Sequence, residues 1–321
     1  MSNQSSNAKF KAKTGGQAVI EGVMMKGVRK EAMACRLPNG EIDLEVWDLK
    51  YNADNMPAYR KIPFIRGIFN FADSLIDGYK CLSKSADKQM QDDDEEEMTK
   101  FEKWLTDKLG DKLIPVIAGV SMVLGLGIAI VLFMLFPAFI SKMIDKYIIS
   151  LSPFAKNCIE GVLKISIFLA YTKLTSLMSD IATTYRYHGA EHKTIACYES
   201  GEELTVENVK KHIRFHPRCG TSFIFLVLFI SIFVFTVVGV PWDNIFIRMV
   251  FKLALLPVIV GIAYELIRLA GRHDNLLTRI ISAPGLWIQR ITTSEPNDGQ
   301  IECAIAALKA VVPEDGEEDV W

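Results

Sequence analysis

Apolar residues in this chain are gathered into a few uncharged blocks, whereas residues 1–112 mix polar and apolar positions as a soluble protein does. Residues 113–140 contain no charged side chain, and about 20 such residues suffice to cross the hydrocarbon core of a bilayer. The block predicts a transmembrane helix. A second is predicted over 222–241 and a third over 245–270, the latter with Arg248 and Lys252 near its start and Glu265 and Arg268 near its end. Charges so placed snorkel to the interface or pair. Residues 158–180 are interrupted by Glu160, Lys164 and Lys173. Glu160 and Lys164 lie one helical turn apart and are able to pair, so this segment reads as a fourth span packed against its neighbours.

Ahead of the spans, residues 31–50 read as a β-hairpin. Asn39-Gly40 supplies the turn, and Ile42, Leu44 and Val46 alternate on the second strand. The run 15-GGQAVIEGVMMKG-27 adds a further strand. Within 57–85, Ile65, Ile68, Phe69, Ala72, Leu75, Ile76 and Tyr79 recur at helical spacing, predicting an amphipathic helix on the bilayer or under the hairpin. After the spans, a surface helix, a turn at Pro296-Asn297-Asp298-Gly299 and a final helix are expected. The fold class is therefore an α-helical membrane protein of about four transmembrane helices with a small N-terminal cytoplasmic α+β domain. Its expected parts are a flexible N-terminus (1–14), a hairpin-plus-helix domain (15–86), an acidic linker (87–100), a transmembrane domain (101–281) containing a polar loop (181–221), a C-terminal segment (282–312) and a disordered tail (313–321).

The formal net charge is −2 over 321 residues. This supplies no global basic field, and no nucleic-acid partner is expected. Cys35, Cys81, Cys158, Cys197, Cys219 and Cys303 are scattered without CxxC pairs, which speaks against a disulfide framework and a zinc ribbon. The opening residues, MSNQSSNAKFKAK, lack the apolar core of a secretory signal. Four spans put both termini on the side of the 181–221 loop. That loop carries Arg186, Lys193, Lys210, Lys211, Arg214 and Arg218, against Lys142, Lys146 and Lys156 in the 141–157 connection. The excess places it in the cytoplasm.

Four of the five histidines fall in that loop. In 185-YRYHGAEHK-193, a helix would bring His188, Glu191 and His192 to one face. Two imidazoles four residues apart can share one zinc, and an adjacent carboxylate can take a proton from its water. H-x-x-E-H is also the spacing of the inverted zinc-protease motif, although Gly189 costs a helix about 1 kcal/mol and so short a pattern recurs by chance. A second string, 212-HIRFHPRCG-220, adds His212, His216 and Cys219, with Pro217 ending any helix before Cys219. His188, His192 and His216 with Cys219 or Glu191 would complete a tetrahedral ligand set. The competing reading is a structural cluster in which these histidines cap helices and, with Arg214 and Arg218, meet phosphates at the membrane surface. Glu21 is a lesser candidate, as a solvent-facing strand residue is the plainer account. For Glu265, pairing with Arg268 or Lys252 serves as well as a functional role. Cys219 beside His216 is also a candidate nucleophile.

The strings 15-GGQAVIEGVMMKG-27, 186-RYHGAEHKTIACYESGEELTVENV-209, 216-HPRCGTSF-223 and 288-IQRITTSEPNDGQIECAIAAL-308 closely resemble the bacterial membrane family called domain of unknown function 1385, described as predicted metal-dependent enzymes. The resemblance runs from about residue 15 to 312. It implies a multi-pass protein of the bacterial cytoplasmic membrane with the motifs HGAEHK and HPRCGTS, onto which His188, Glu191, His192, His216 and Cys219 map directly. His212 falls outside them and is kept as a supporting residue.

Three functions follow as expectations. In the first, zinc or another divalent transition metal is held by His188, His192, His216 and Cys219, with Glu191 as general base and Arg218 or Lys193 holding negative charge. This describes a peptidase-like hydrolase acting on a protein or peptide at the cytoplasmic face of the bilayer. Four protein ligands would close the site, as in structural zinc, and the second expectation is a non-catalytic scaffold or assembly factor. The third is ion or solute transport past Glu160, Lys164, Lys173, Glu265 and Arg268, which with so few spans requires a homo-oligomer.

Overall fold

The computed structural model describes residues 8–52, 54–89, 108, 110, 113–239, 244–273, 275–313 and 319. The acidic linker expected over 87–100 lies outside these from residue 90 onward, as does most of the 313–321 tail. Strands β1 (Gly15–Val19), β2 (Gly22–Lys26), β3 (Lys30–Arg36) and β4 (Ile42–Asp48) form an antiparallel meander in sequence order. The hairpin turns at Asn39-Gly40, where Gly40 has a φ of +87° that a residue without Cβ adopts freely. The GGQAVIEGVMMKG run makes two strands rather than one, turning at Ile20-Glu21, with Glu21 itself at φ +49°.

The helices follow in order: α1 (Ile65–Gln89), α2 (Leu113–Ile130), α3 (Phe136–Tyr147), α4 (Pro153–Thr175), α5 (Ser179–Ser200), α6 (Val206–Lys211), α7 (Gly220–Val238), α8 (Ile245–Arg272), α9 (Leu276–Thr292) and α10 (Asp298–Val311). A π-helical turn, Val131–Leu135, joins α2 to α3 without a break. Among the described residues, three stretches are long and apolar enough to cross a membrane: Gly119–Tyr147, Gly220–Val238 and Phe246–Arg272. A fourth is reached if α4 and α5, bent by 102° at their junction, count as one span. Met122, Val123, Leu124, Phe246 and Val250 all face outward, and a soluble surface rarely carries so continuous an apolar area. The 181–221 segment, expected as a loop, is mainly helix. α5 runs to Ser200, where Gly201 takes the left-handed φ of +68° that lets its N–H close the last turn.

Side chains alternate across the sheet. Val23, Met25, Ala32 and Ala34 enter one core with Tyr187, Ala190 and Ile195 of α5 and Ile301, Ala304 and Leu308 of α10. Val19, Met24, Met33 and Cys35 enter another with Cys81 of α1. Both faces are covered, so the N-terminal region is not a self-contained domain: α5 and the C-terminal α10 complete it. The turn expected at 296–299 is the start of α10, because Asn297 and Gln300 exchange side-chain to backbone hydrogen bonds in a capping box.

Residues 8–14, expected to be flexible, are held against α5. Lys9 N–H donates to the Glu199 carbonyl at 2.8 Å, and Ala12 N–H donates to Glu199 Oε1 at 2.7 Å. Thr14 bonds through N–H and Oγ1 to the buried Asp319 carboxylate of the tail, at 2.9 and 2.7 Å. The charges of the apolar helices also find partners other than those expected. Glu160 pairs with Arg248 and Lys252 of α8, not with Lys164. Glu265 pairs with Arg66 of α1 and accepts from Phe64 N–H at 3.1 Å, tying α1 to α8.

Candidate metal centre

Helical spacing puts His188, Glu191 and His192 on one face of α5, next to the segment 292–296 that joins α9 to α10. Gly189 explains how close that approach is. A Cβ there would stand 2.0 Å from the Ser294 carbonyl oxygen, so the helix gives up propensity to let the segment in. Ser294 N–H donates to the Tyr185 carbonyl at 2.8 Å, and Thr292 brings its own carbonyl to His188. His188 Nδ1 lies 2.8 Å from Thr292 O, and His192 Nδ1 lies 2.6 Å from Arg214 O. Each ring thus donates Nδ1–H to a backbone carbonyl and keeps Nε2 as the basic nitrogen, the usual way a protein orients a histidine ligand.

The second string is positioned from the other side by α9. Gln289, fully buried, accepts from His216 N–H and donates to His216 O, both at 2.7 Å. The chain then turns into α7 with Cys219 as its N-cap. Cys219 Sγ arrives 3.1 Å from His188 Nε2. Ligand atoms of His188, His192 and Cys219 lie within 4.8 Å of one another; around a tetrahedral zinc such atoms sit roughly 3.3–3.7 Å apart. Nε2 of His192 and Oε2 of Glu191 are buried with no hydrogen-bond partner among the described residues. Unmet buried polar atoms are costly, and a metal ion would satisfy the imidazole. The residues fit a divalent transition metal.

His216 stands apart from this group. Its Nε2 accepts from Arg218 Nη2 at 3.2 Å and lies 3.9 Å from Glu199, so its lone pair is in use. Burial and the neighbouring Arg218 charge push its imidazole down to about 4, although Glu199 opposes this. Glu199 itself would be raised by burial, but His216, Arg218 and Ala12 N–H outweigh that and hold it at about 2. Around Cys219 and His188 burial again opposes charge, and each favours the other's ionised form. The thiol falls well below its ordinary range and the imidazole rises to about 9. Glu191 is raised by burial, against the pull of His192, His188 and Gly16 N–H.

A cavity of about 170 Å³ is lined by Cys219, Glu191 and His216 together with Lys13, Gly16 and Arg218. Arg218 Nη1 is buried without a hydrogen-bond partner among the described residues. Gly16 fits only as glycine, since a Cβ would stand 2.6 Å from the Met24 carbonyl oxygen and 3.0 Å from Glu191 Cγ. Gly16 of GGQAVIEG, and not its glutamate, is therefore what the N-terminal string contributes. Glu21 accepts from Tyr187 Oη at 3.1 Å inside the sheet–helix core. His212 lies 3.6 Å from Glu202 and shares a separate cluster with Cys197. Glu265 belongs to the α1–α8 contact. Lys193 and Arg214 are both taken by Glu295, at 2.6 and 2.7 Å.

The family model described as "Protein of unknown function (DUF1385)" matches residues 62–314. The chain belongs to the DUF1385 family. It is also 34% identical, over 305 residues covering 93% of this chain and 92% of the other, to "Uncharacterized protein YqhQ" of Bacillus subtilis (strain 168). No solved structure matches it. The family hit spans both histidine strings and the α9–α10 segment that orients His188, whereas Gly16 lies ahead of it.

Proposed function

We propose that this DUF1385 protein is a metal-dependent hydrolase of the cytoplasmic membrane, with its metal centre and both termini on the cytoplasmic side. One observation carries the reading. His188 and His192 both have Nδ1 fixed by a backbone carbonyl, which leaves two basic Nε2 atoms beside the Cys219 sulfur. Three protein ligands leave a coordination position for solvent or substrate, the mark of catalytic rather than structural zinc. His216, engaged by Arg218, does not fill it.

A zinc or similar ion, when bound, supplies Lewis acidity at the scissile bond and lowers the pKa of water. The chain's own residues do the rest. Glu191 is raised by burial toward the range of a working base and is oriented by Gly16 N–H, so it takes the proton of attacking water and passes it to the leaving group. Arg218, whose Nη1 has no hydrogen-bond partner among the described residues, and Lys13 both line the cavity and would bind a substrate carrying a carboxylate or phosphate next to the bond that breaks. A peptide or ester carbonyl presented at the membrane surface fits this arrangement.

Metal analysis of protein purified with its thiols reduced tests the reading, together with hydrolysis of a fluorogenic peptide library. One ion per chain, and a Glu191→Gln variant that keeps the ion but loses hydrolysis, is the expected result. Wild type without stoichiometric metal overturns it. A second reading is favoured by the 3.1 Å contact between Cys219 Sγ and His188 Nε2: a metal-free thiolate nucleophile with His188 as its base, oriented by Thr292 O. Hydrolysis that survives chelation and is abolished by iodoacetamide at Cys219 would select it.

A further inference from the structure

A second cavity, of about 180 Å³, lies among the apolar helices, away from the metal centre. Met134, Ser231, Phe235 and Leu256 line it along with Lys164 and Lys252. Lys252 Nζ bonds Glu160 at 2.5 Å, and Arg248 bonds the other oxygen of the same carboxylate. Lys164 makes no salt bridge within 4.0 Å to any described residue. It is only 7% exposed, and its Nζ lies over the Phe235 ring at 5.4 Å, with Lys252 Nζ 5.1 Å from that ring. Two lysines therefore meet at one cavity, and the carboxylate bonded to Lys252 is shared with Arg248. Leaving buried positive charge uncompensated is expensive, and an anion in the cavity offsets it.

We propose that this cavity binds the acidic headgroup of a membrane lipid, with Lys164 and Lys252 donating to its phosphate oxygens and the apolar wall taking the first methylenes of its chains. The lining argues for an amphiphile: apart from the lysines and Ser231 it is apolar, and it is built from α4, α7, α8 and the π-helical turn, the elements whose outer surfaces are themselves apolar. Free inorganic phosphate shares the headgroup chemistry and is the other source of such an anion. The inference rests on these helices lying in a bilayer and is independent of the metal centre.

The full chain, purified in neutral maltoside micelles doped with equal phosphatidylglycerol and phosphatidylcholine, would be assayed by native mass spectrometry for retained lipid. Wild type should keep phosphatidylglycerol over phosphatidylcholine, and Lys164→Met should lower that retention about tenfold, as expected for loss of a charge-assisted hydrogen bond. Lys164→Arg should restore it, which separates lost charge from a lost fold. Lys173→Gln, at an exposed position of the same helix, should change nothing. A parallel arm with inorganic phosphate and no anionic lipid reads the source: phosphate stabilisation abolished by Lys164→Met assigns the site to the free anion. Equal retention of the two lipids, or loss of phosphatidylglycerol that ignores Lys164, with no effect of phosphate, overturns the proposal.

Discussion

At the candidate metal centre the ionisable side chains are tied to the backbone: His188 to the Thr292 carbonyl, His192 to that of Arg214, Glu191 to Gly16 N–H. In the apolar helices Glu160 is instead held by other side chains, those of Arg248 and Lys252. Backbone anchors leave one defined atom of each group free, which is what binding or catalysis needs. Side-chain anchors neutralise charge and leave an excess wherever the count is uneven, as at Lys164. Loss of a single side chain should leave the fold intact in the first arrangement, though not its metal binding, and should destabilise the fold in the second.

Removing the shared carboxylate tests that difference most severely. Glu160→Gln removes the carboxylate that Arg248 and Lys252 share and should cost about 3–5 kcal/mol, read as a lower melting temperature in detergent. Replacing Glu160, Arg248 and Lys252 together by Met should recover most of it, since apolar substitution of a whole buried ion group is near neutral. No such recovery is expected at the metal centre.

Acid should act on the pair beside the centre with a smaller effect. Both Glu199 and His216 have folded-state values below their ordinary ones, about 2 against 4.5 and about 4 against 6.5. The stability each contributes is complete above the ordinary value and is lost as pH falls through the folded one. Melting temperature should therefore decline from about pH 6.5 toward 2, with about 2–3 kcal/mol from Glu199. Glu199→Gln should flatten the part of the curve below pH 4.5.

Gly189→Ala should have the smallest effect on stability. Alanine gains about 1 kcal/mol of helix propensity but must displace the 293–296 segment, at about 1–3 kcal/mol. Because the Thr292 carbonyl moves with that segment, metal affinity should fall about 10- to 100-fold while the protein stays folded. An alanine variant that binds metal normally would show the backbone anchor to be dispensable.

The apolar blocks made the long apolar helices readable, and the i, i+3, i+4 spacing made one face of α5 readable, because both signals are local. Partners across helices were not. Spacing offered Lys164 to Glu160, but the rotation of α4 against α8 hands that carboxylate to Arg248 and Lys252. Within HPRCG nothing local says which of His216 and Cys219 turns to α5. The Arg218 guanidinium, two residues on, engages His216 and leaves Cys219 to His188. Gly16 was hidden because a glycine's role is set by what lies above it, here Glu191 and the Met24 carbonyl.

The central claim is the identity of the ligands, and metal content of three purified variants tests it most directly. His192→Ala and Cys219→Ser should each lose bound metal, while His216→Ala keeps about one ion per chain. Metal lost from His216→Ala but retained in His192→Ala would contradict the account.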